Sequence, residues 1–104
     1  MTRRCYECGT KLSAAKHKRN TCSTACRAAH HNRRKARGAE LYDLFMLIRF
    51  ERGLSRAKGL WSLACLMASH WKIEDDEAGR RSYGEAEDVL PRLAGYQAKR
   101  VGRV

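Results

Sequence analysis

Two close pairs of cysteines constrain this chain more than any other feature. Cys5 and Cys8 are separated by two residues, Cys22 and Cys26 by three, and 13 residues lie between the pairs. Each pair is spaced to chelate one ion, and four thiolates complete a tetrahedral shell with no open position. The polar segment around them cannot build an apolar core, so a bound ion has to organise it. Gly9 follows the first pair and lets the backbone fold back to aim amides at the sulfurs. The second pair straddles a predicted helix start, where aligned peptide dipoles favour thiolates. A knuckle followed by a helix-borne pair is treble-clef-like geometry. The predicted metal ligands are therefore Cys5, Cys8, Cys22 and Cys26, and the predicted ion is Zn2+.

Disulfides are the competing use of such cysteines. Met1 to Gly9 is charged and has no apolar run, which predicts a chain without a secretory leader in a reducing, cytoplasmic compartment where metal ligation prevails. His30, His17 and His31 are the side chains that compete for a ligand position. Cys65 lies among Leu63, Ala64, Leu66 and Met67 and reads as a small core hydrophobe. The apolar stretches Leu44 to Ile48 and Leu63 to Ala68 are too short to span a bilayer, so no membrane partner is expected.

The formal net charge of +11 is unevenly placed. Residues 1 to 38 hold 11 Lys and Arg against the single acid Glu7, whereas residues 39 to 104 hold 11 against 10 acids. A positive field confined to the cysteine-rich module points to a polyanionic partner, with a merely solvated basic surface as the plainer reading.

The helical pattern predicts a mainly α chain: a treble-clef-like finger of a short hairpin plus a helix, then a small three-helix unit, divided as a basic finger over 1–38 and a helical domain over 39–104. Ser23 is placed to cap a helix over Thr24 to Arg37 that stops at Gly38. A second helix over Ala39 to Arg52 carries Leu41, Leu44, Phe45 and Ile48 on one face, widened by Tyr42, Met46 and Phe50. A third runs from a Ser55 cap to about Trp71 and pairs with the second as an antiparallel hairpin. Glu74 to Glu77 read as an acidic loop. Ser82 and Glu85 form a capping box for a fourth helix that Pro91 should kink or restart, and the basic tail from Lys99 should fray.

Cys5-Tyr6-Glu7-Cys8-Gly9 and Cys22-Ser23-Thr24-Ala25-Cys26-Arg27, followed by Asn32-Arg33-Arg34-Lys35, resemble the bacterial and phage zinc fingers with a Cys-x2-Cys-Gly and Cys-Ser-x2-Cys-Arg signature. The ligand spacing is similar to that of the small zinc-finger inhibitors of DNA gyrase. The resemblance covers residues 5 to 37. It stops after Cys26 for the gyrase inhibitors, since a basic run stands here where they continue with apolar residues.

Three functions compete. The first is DNA binding in a regulatory or accessory role such as transcription regulation, with DNA preferred over RNA. Here Arg27, His31, Arg33, Arg34, Lys35 and Arg37 line a groove-binding helix, and Lys16, Lys18 and Arg19 extend its surface. The second is a protein-binding inhibitor or adaptor acting on a DNA-handling protein. Trp61 and Trp71 would anchor it, although core packing is the simpler reading for both, and the helical half offers a surface for a homodimer. The third, an enzyme, is not expected. His30-His31-Asn32 lies on the finger helix without a partner histidine on a strand, and a closed four-cysteine site leaves no metal-bound water.

Overall fold

The computed structural model describes residues 3–13 and 20–99, and the side chains of 97–99 are not described. Four helices account for most of these: α1 (Thr24–Phe50), α2 (Arg52–Lys58), α3 (Leu60–Glu77) and α4 (Ala86–Lys99). Among the described residues there is no strand. One isolated antiparallel bridge joins Arg4 to Lys11 in the knuckle that precedes α1, so the expected hairpin is reduced to a single pairing.

The helix predicted to stop at Gly38 does not stop there. α1 runs 27 residues without a break, and the expected domain boundary between residues 38 and 39 falls inside it. A lone glycine costs a helix only about 1 kcal/mol against alanine. Ala, Arg and Lys before it and Leu, Phe and Ile after it propagate the helix across, and α3 packs along it. Ser23 caps the start as expected, its Oγ accepting from the Cys26 amide at 3.1 Å.

The helix expected from Ser55 to Trp71 is instead two. Gly59 takes φ 63° and ends α2, and α3 begins one residue later and continues to Glu77. α3 returns antiparallel along α1, because Arg37 meets Glu74 and Asp75 while the opposite ends join through α2. The predicted hairpin is present in this form. Glu74 to Glu77 are the last turn of α3 rather than a loop. α4 starts at Ala86, four residues later than the capping-box reading, since Ser82 donates its hydroxyl to Asp75 and Glu85 pairs with Arg81. α4 continues through Pro91 and packs on none of the other helices.

The interior is small and mixes apolar with polar side chains. Among the described residues the buried apolar side chains are Cys5, Tyr6, Leu12 and Leu44, and Asp75 is completely buried. The radius of gyration is 16.7 Å, against about 13 Å for a compact chain of this length. Cys65, expected in the core, is exposed, and so is Trp61. Trp71 is half-buried beneath the Arg37 guanidinium, 5.3 Å from its ring centroid.

Candidate metal centre and basic groove

The knuckle is built by backbone bonds across its own turn. The Cys5 amide donates to Thr10 O at 2.8 Å, the Gly9 amide to Cys5 O at 3.0 Å, and the Leu12 amide to Arg3 O at 2.9 Å. Gly9 has φ 78°, and a Cβ there would lie 2.8 Å from the Gly79 carbonyl oxygen. Any other residue would be strained and would push the knuckle off the segment after α3. Tyr6 completes the attachment: its amide donates to Asn20 O, its carbonyl accepts from the Arg81 amide, and its hydroxyl accepts from the Glu85 amide.

These constraints, together with the α1 N-terminus, bring the four predicted sulfurs together. Cys5, Cys8, Cys22 and Cys26 offer Sγ atoms that all lie within 4.8 Å of one another. The Cys8–Cys22 separation is 3.6 Å and the Cys22–Cys26 separation 3.7 Å. An ion bonded tetrahedrally to sulfur at about 2.3 Å sets the sulfurs about 3.8 Å apart, so the cluster has the dimensions of a tetrathiolate site. The Glu7 and Cys22 amides point at Cys5 Sγ, at 3.4 and 3.3 Å, and Thr10 Oγ1 lies 3.1 Å from Cys8 Sγ. Such donors offset thiolate charge.

The thiols also divide the charge unevenly. Hydrogen bonds from the Thr10 hydroxyl and amide lower Cys8 to about 6. Cys22 is raised, chiefly by the neighbouring Cys8. At Cys26 the Ser23 hydroxyl pulls downward, but burial and the other three sulfurs outweigh it and push the thiol up to about 12. Four thiolates cannot share this space without a cation, and a bound metal ion would supply that charge.

Neither His30 nor His31 joins the sulfur cluster in place of a cysteine. His30 is buried edge-on against Tyr6 at 5.7 Å between centroids, and its Nδ1 has no hydrogen-bond partner among the described residues. Burial, then the charges of Arg34 and Arg33, lower its pKa. His17 lies outside the described residues.

The predicted nucleic-acid residues separate into two sets. Arg33 and Arg37 turn inward and are ion-paired: Arg33 reaches Glu7 Oε1 at 2.6 Å, and Arg37 grips both oxygens of Asp75 at 2.7 and 3.0 Å. Asp75 also accepts from Arg80 Nε and Ser82 Oγ, each at 2.7 Å, and Glu74 accepts from Arg37 and Arg80. The Asp75 carboxylate ties α1, α3 and the following segment into one unit. Its full burial would raise its pKa, but the bonds from Arg37, Arg80 and Ser82 override that and hold it well below the ordinary carboxylate range. Sequence reasoning missed this role. The available signal was the inward spacing of Leu60, Ala64, Trp71 and Asp75, which continues past Trp71.

Arg27, His31, Arg34 and Lys35 remain exposed on α1. Arg27 and Arg34, about two turns apart, form no ion pair with a described residue, and with His31 they line a groove of about 740 Å3. Its opposite wall is the segment from Ser82 to Arg92, which adds the arginine side chain of Arg92, also missed in the sequence. Asp88 lines the groove too but is bound to Arg3 at 2.8 Å. Lys16, Lys18 and Arg19 lie outside the described residues.

Comparison with protein-family models, curated proteins and solved structures finds no match to this chain. No helix among the described residues is long and apolar enough to cross a membrane.

Proposed function

We propose that this chain is a zinc-dependent DNA-binding protein with a regulatory or accessory role. In this reading Cys5, Cys8, Cys22 and Cys26 hold Zn2+ in a treble-clef-like finger of the bacterial and phage kind, and the metal fixes the first turns of α1. The ion's part is structural. What meets the nucleic acid is the exposed side of α1 with Arg27, His31, Arg34 and Lys35.

The observation that carries this reading is the contrast among the arginines of α1. Arg33 and Arg37 are consumed by Glu7, Glu74 and Asp75, whereas Arg27 and Arg34 face one groove without meeting a carboxylate among the described residues. Unpaired guanidiniums on one helix side, beside a helix N-terminus, neutralise successive phosphates and release counterions, and an exposed arginine can also reach a guanine edge.

The test is affinity for a mixed-sequence DNA duplex by fluorescence anisotropy at a series of salt concentrations. Binding that weakens steeply and log-linearly with salt is expected. Absence of duplex binding, or binding indifferent to salt, overturns the reading. The exposed apolar residues of the hairpin favour a protein contact in addition, which is the ground of the alternative role as an inhibitor or adaptor.

A further inference from the structure

The part of α1 beyond Gly38 is apolar around nearly its whole circumference, yet of its eight apolar residues between 41 and 50 only Leu44 is buried. A helix of this kind belongs in an interior, but here it forms half of a two-helix layer. Leu41, Phe45 and Ile48 continue the stripe on which Arg27, Arg34 and Gly38 lie, with the alternating spacing of four and three residues that packs helix on helix. On the same side of the layer α3 presents Trp61, Cys65 and Ala68, again at helical spacing. The other side is marked by Ala36, Glu40, Met67 and His70, which line a separate depression.

We infer that a second copy of this chain covers the Phe45 and Trp61 side of the hairpin, packed antiparallel about a two-fold axis near Phe45 to give a four-helix bundle. Tyr42, Phe45 and Trp61 are 65%, 54% and 63% exposed. With about 200 Å2 per aromatic side chain they leave roughly 350 Å2 uncovered, close to half of the ~800 Å2 that each partner gives to a standard interface. Leu41, Ile48, Cys65 and Ala68 border them and extend the patch.

Charge selects the occupant and its direction. The patch is nearly neutral, so it offers no complement to a polyanion or to an acidic partner. Residues 39 to 104 carry a net charge of only +1, against +10 for residues 1 to 38. An antiparallel two-fold pairing joins the neutral halves and sends the two basic ends to opposite extremes, whereas a parallel pairing would set them side by side. With the axis near Phe45, Arg27 and Arg34 project past the end of the partner hairpin and stay open. The inference is independent of the DNA-binding reading.

The test is the mass in solution of the full metal-loaded chain by sedimentation velocity across the micromolar range. Twice the chain mass of 11.9 kDa is expected. Phe45→Glu should return it to the chain mass with its helical circular dichroism intact, and Trp61→Ser should weaken association at least tenfold. Leu66→Glu, on the other flank of α3, should leave the dimer in place. A monomeric wild-type chain overturns the inference, as does a dimer that survives both Phe45→Glu and Trp61→Ser, or one that Leu66→Glu alone dissociates.

Discussion

The two ends of α1 are held by opposite means. At the finger end the helix is fastened by charge, through Arg33 to Glu7 and Arg37 to Asp75, beside the cluster of the Cys5, Cys8, Cys22 and Cys26 sulfurs. Beyond Gly38 it carries apolar side chains, and all but Leu44 remain at least partly open. One end is a closed unit in which Tyr6 and Leu12 are buried beside ion pairs, and the other is an apolar surface left largely open. The lesson is that burial in so short a chain need not rest on apolar contact alone, since four clustered sulfurs and one buried carboxylate join Tyr6 and Leu12 in organising this segment.

Removing the metal is the largest perturbation available, and it should strike only one of these ends. Structural zinc in small finger peptides contributes on the order of 10 kcal/mol of apparent binding free energy. A purified chain is expected to hold about one zinc by elemental analysis. Chelation should abolish amide protection in residues 3–13 and 20–26 while α3 keeps its own. Protection of the knuckle unchanged after chelation would break the comparison.

Loss of Asp75 comes next. Breaking a buried ion pair by removing one partner typically costs about 3–5 kcal/mol, because the remaining charges are left uncompensated. Asp75→Asn should lower the thermal midpoint strongly and loosen α3 from α1. Its pH dependence follows from the depressed pKa. The carboxylate's contribution is fully present above the ordinary aspartate range near pH 4, and it fades as pH falls toward the lower folded value. The difference in melting between wild type and Asp75→Asn, followed by circular dichroism, should therefore shrink below about pH 4. A difference that stays constant from neutral pH to pH 3 would contradict the role given to Asp75.

How much of this was legible in the sequence depends on the range of the interactions. The cysteine pairs, the Ser23 cap and the antiparallel hairpin were readable, since ligand spacing, capping and apolar periodicity are local. The continuity of α1 was not, because Gly38 is a weak break that its neighbours and α3 outweigh. Asp75 resembled one of four solvated acids, and only its meeting with Arg37, Arg80 and Ser82 in space distinguishes it. The same holds for Arg33 and Arg37, which in sequence belong to one basic run with Arg34 and Lys35. Cys65 and Trp61 were misplaced for another reason: apolar spacing shows that a face must be covered, but not by which molecule.

The smallest expected effect on stability is also the sharpest test of function. Arg27→Ala with Arg34→Ala removes two exposed side chains that lack a carboxylate partner among the described residues, so the fold and its metal content should be unchanged. The slope of log affinity for duplex DNA against log salt should fall in magnitude by about 2, one for each phosphate that is no longer neutralised. A double variant that binds DNA with the wild-type affinity and salt slope would contradict the assignment of this surface to nucleic acid.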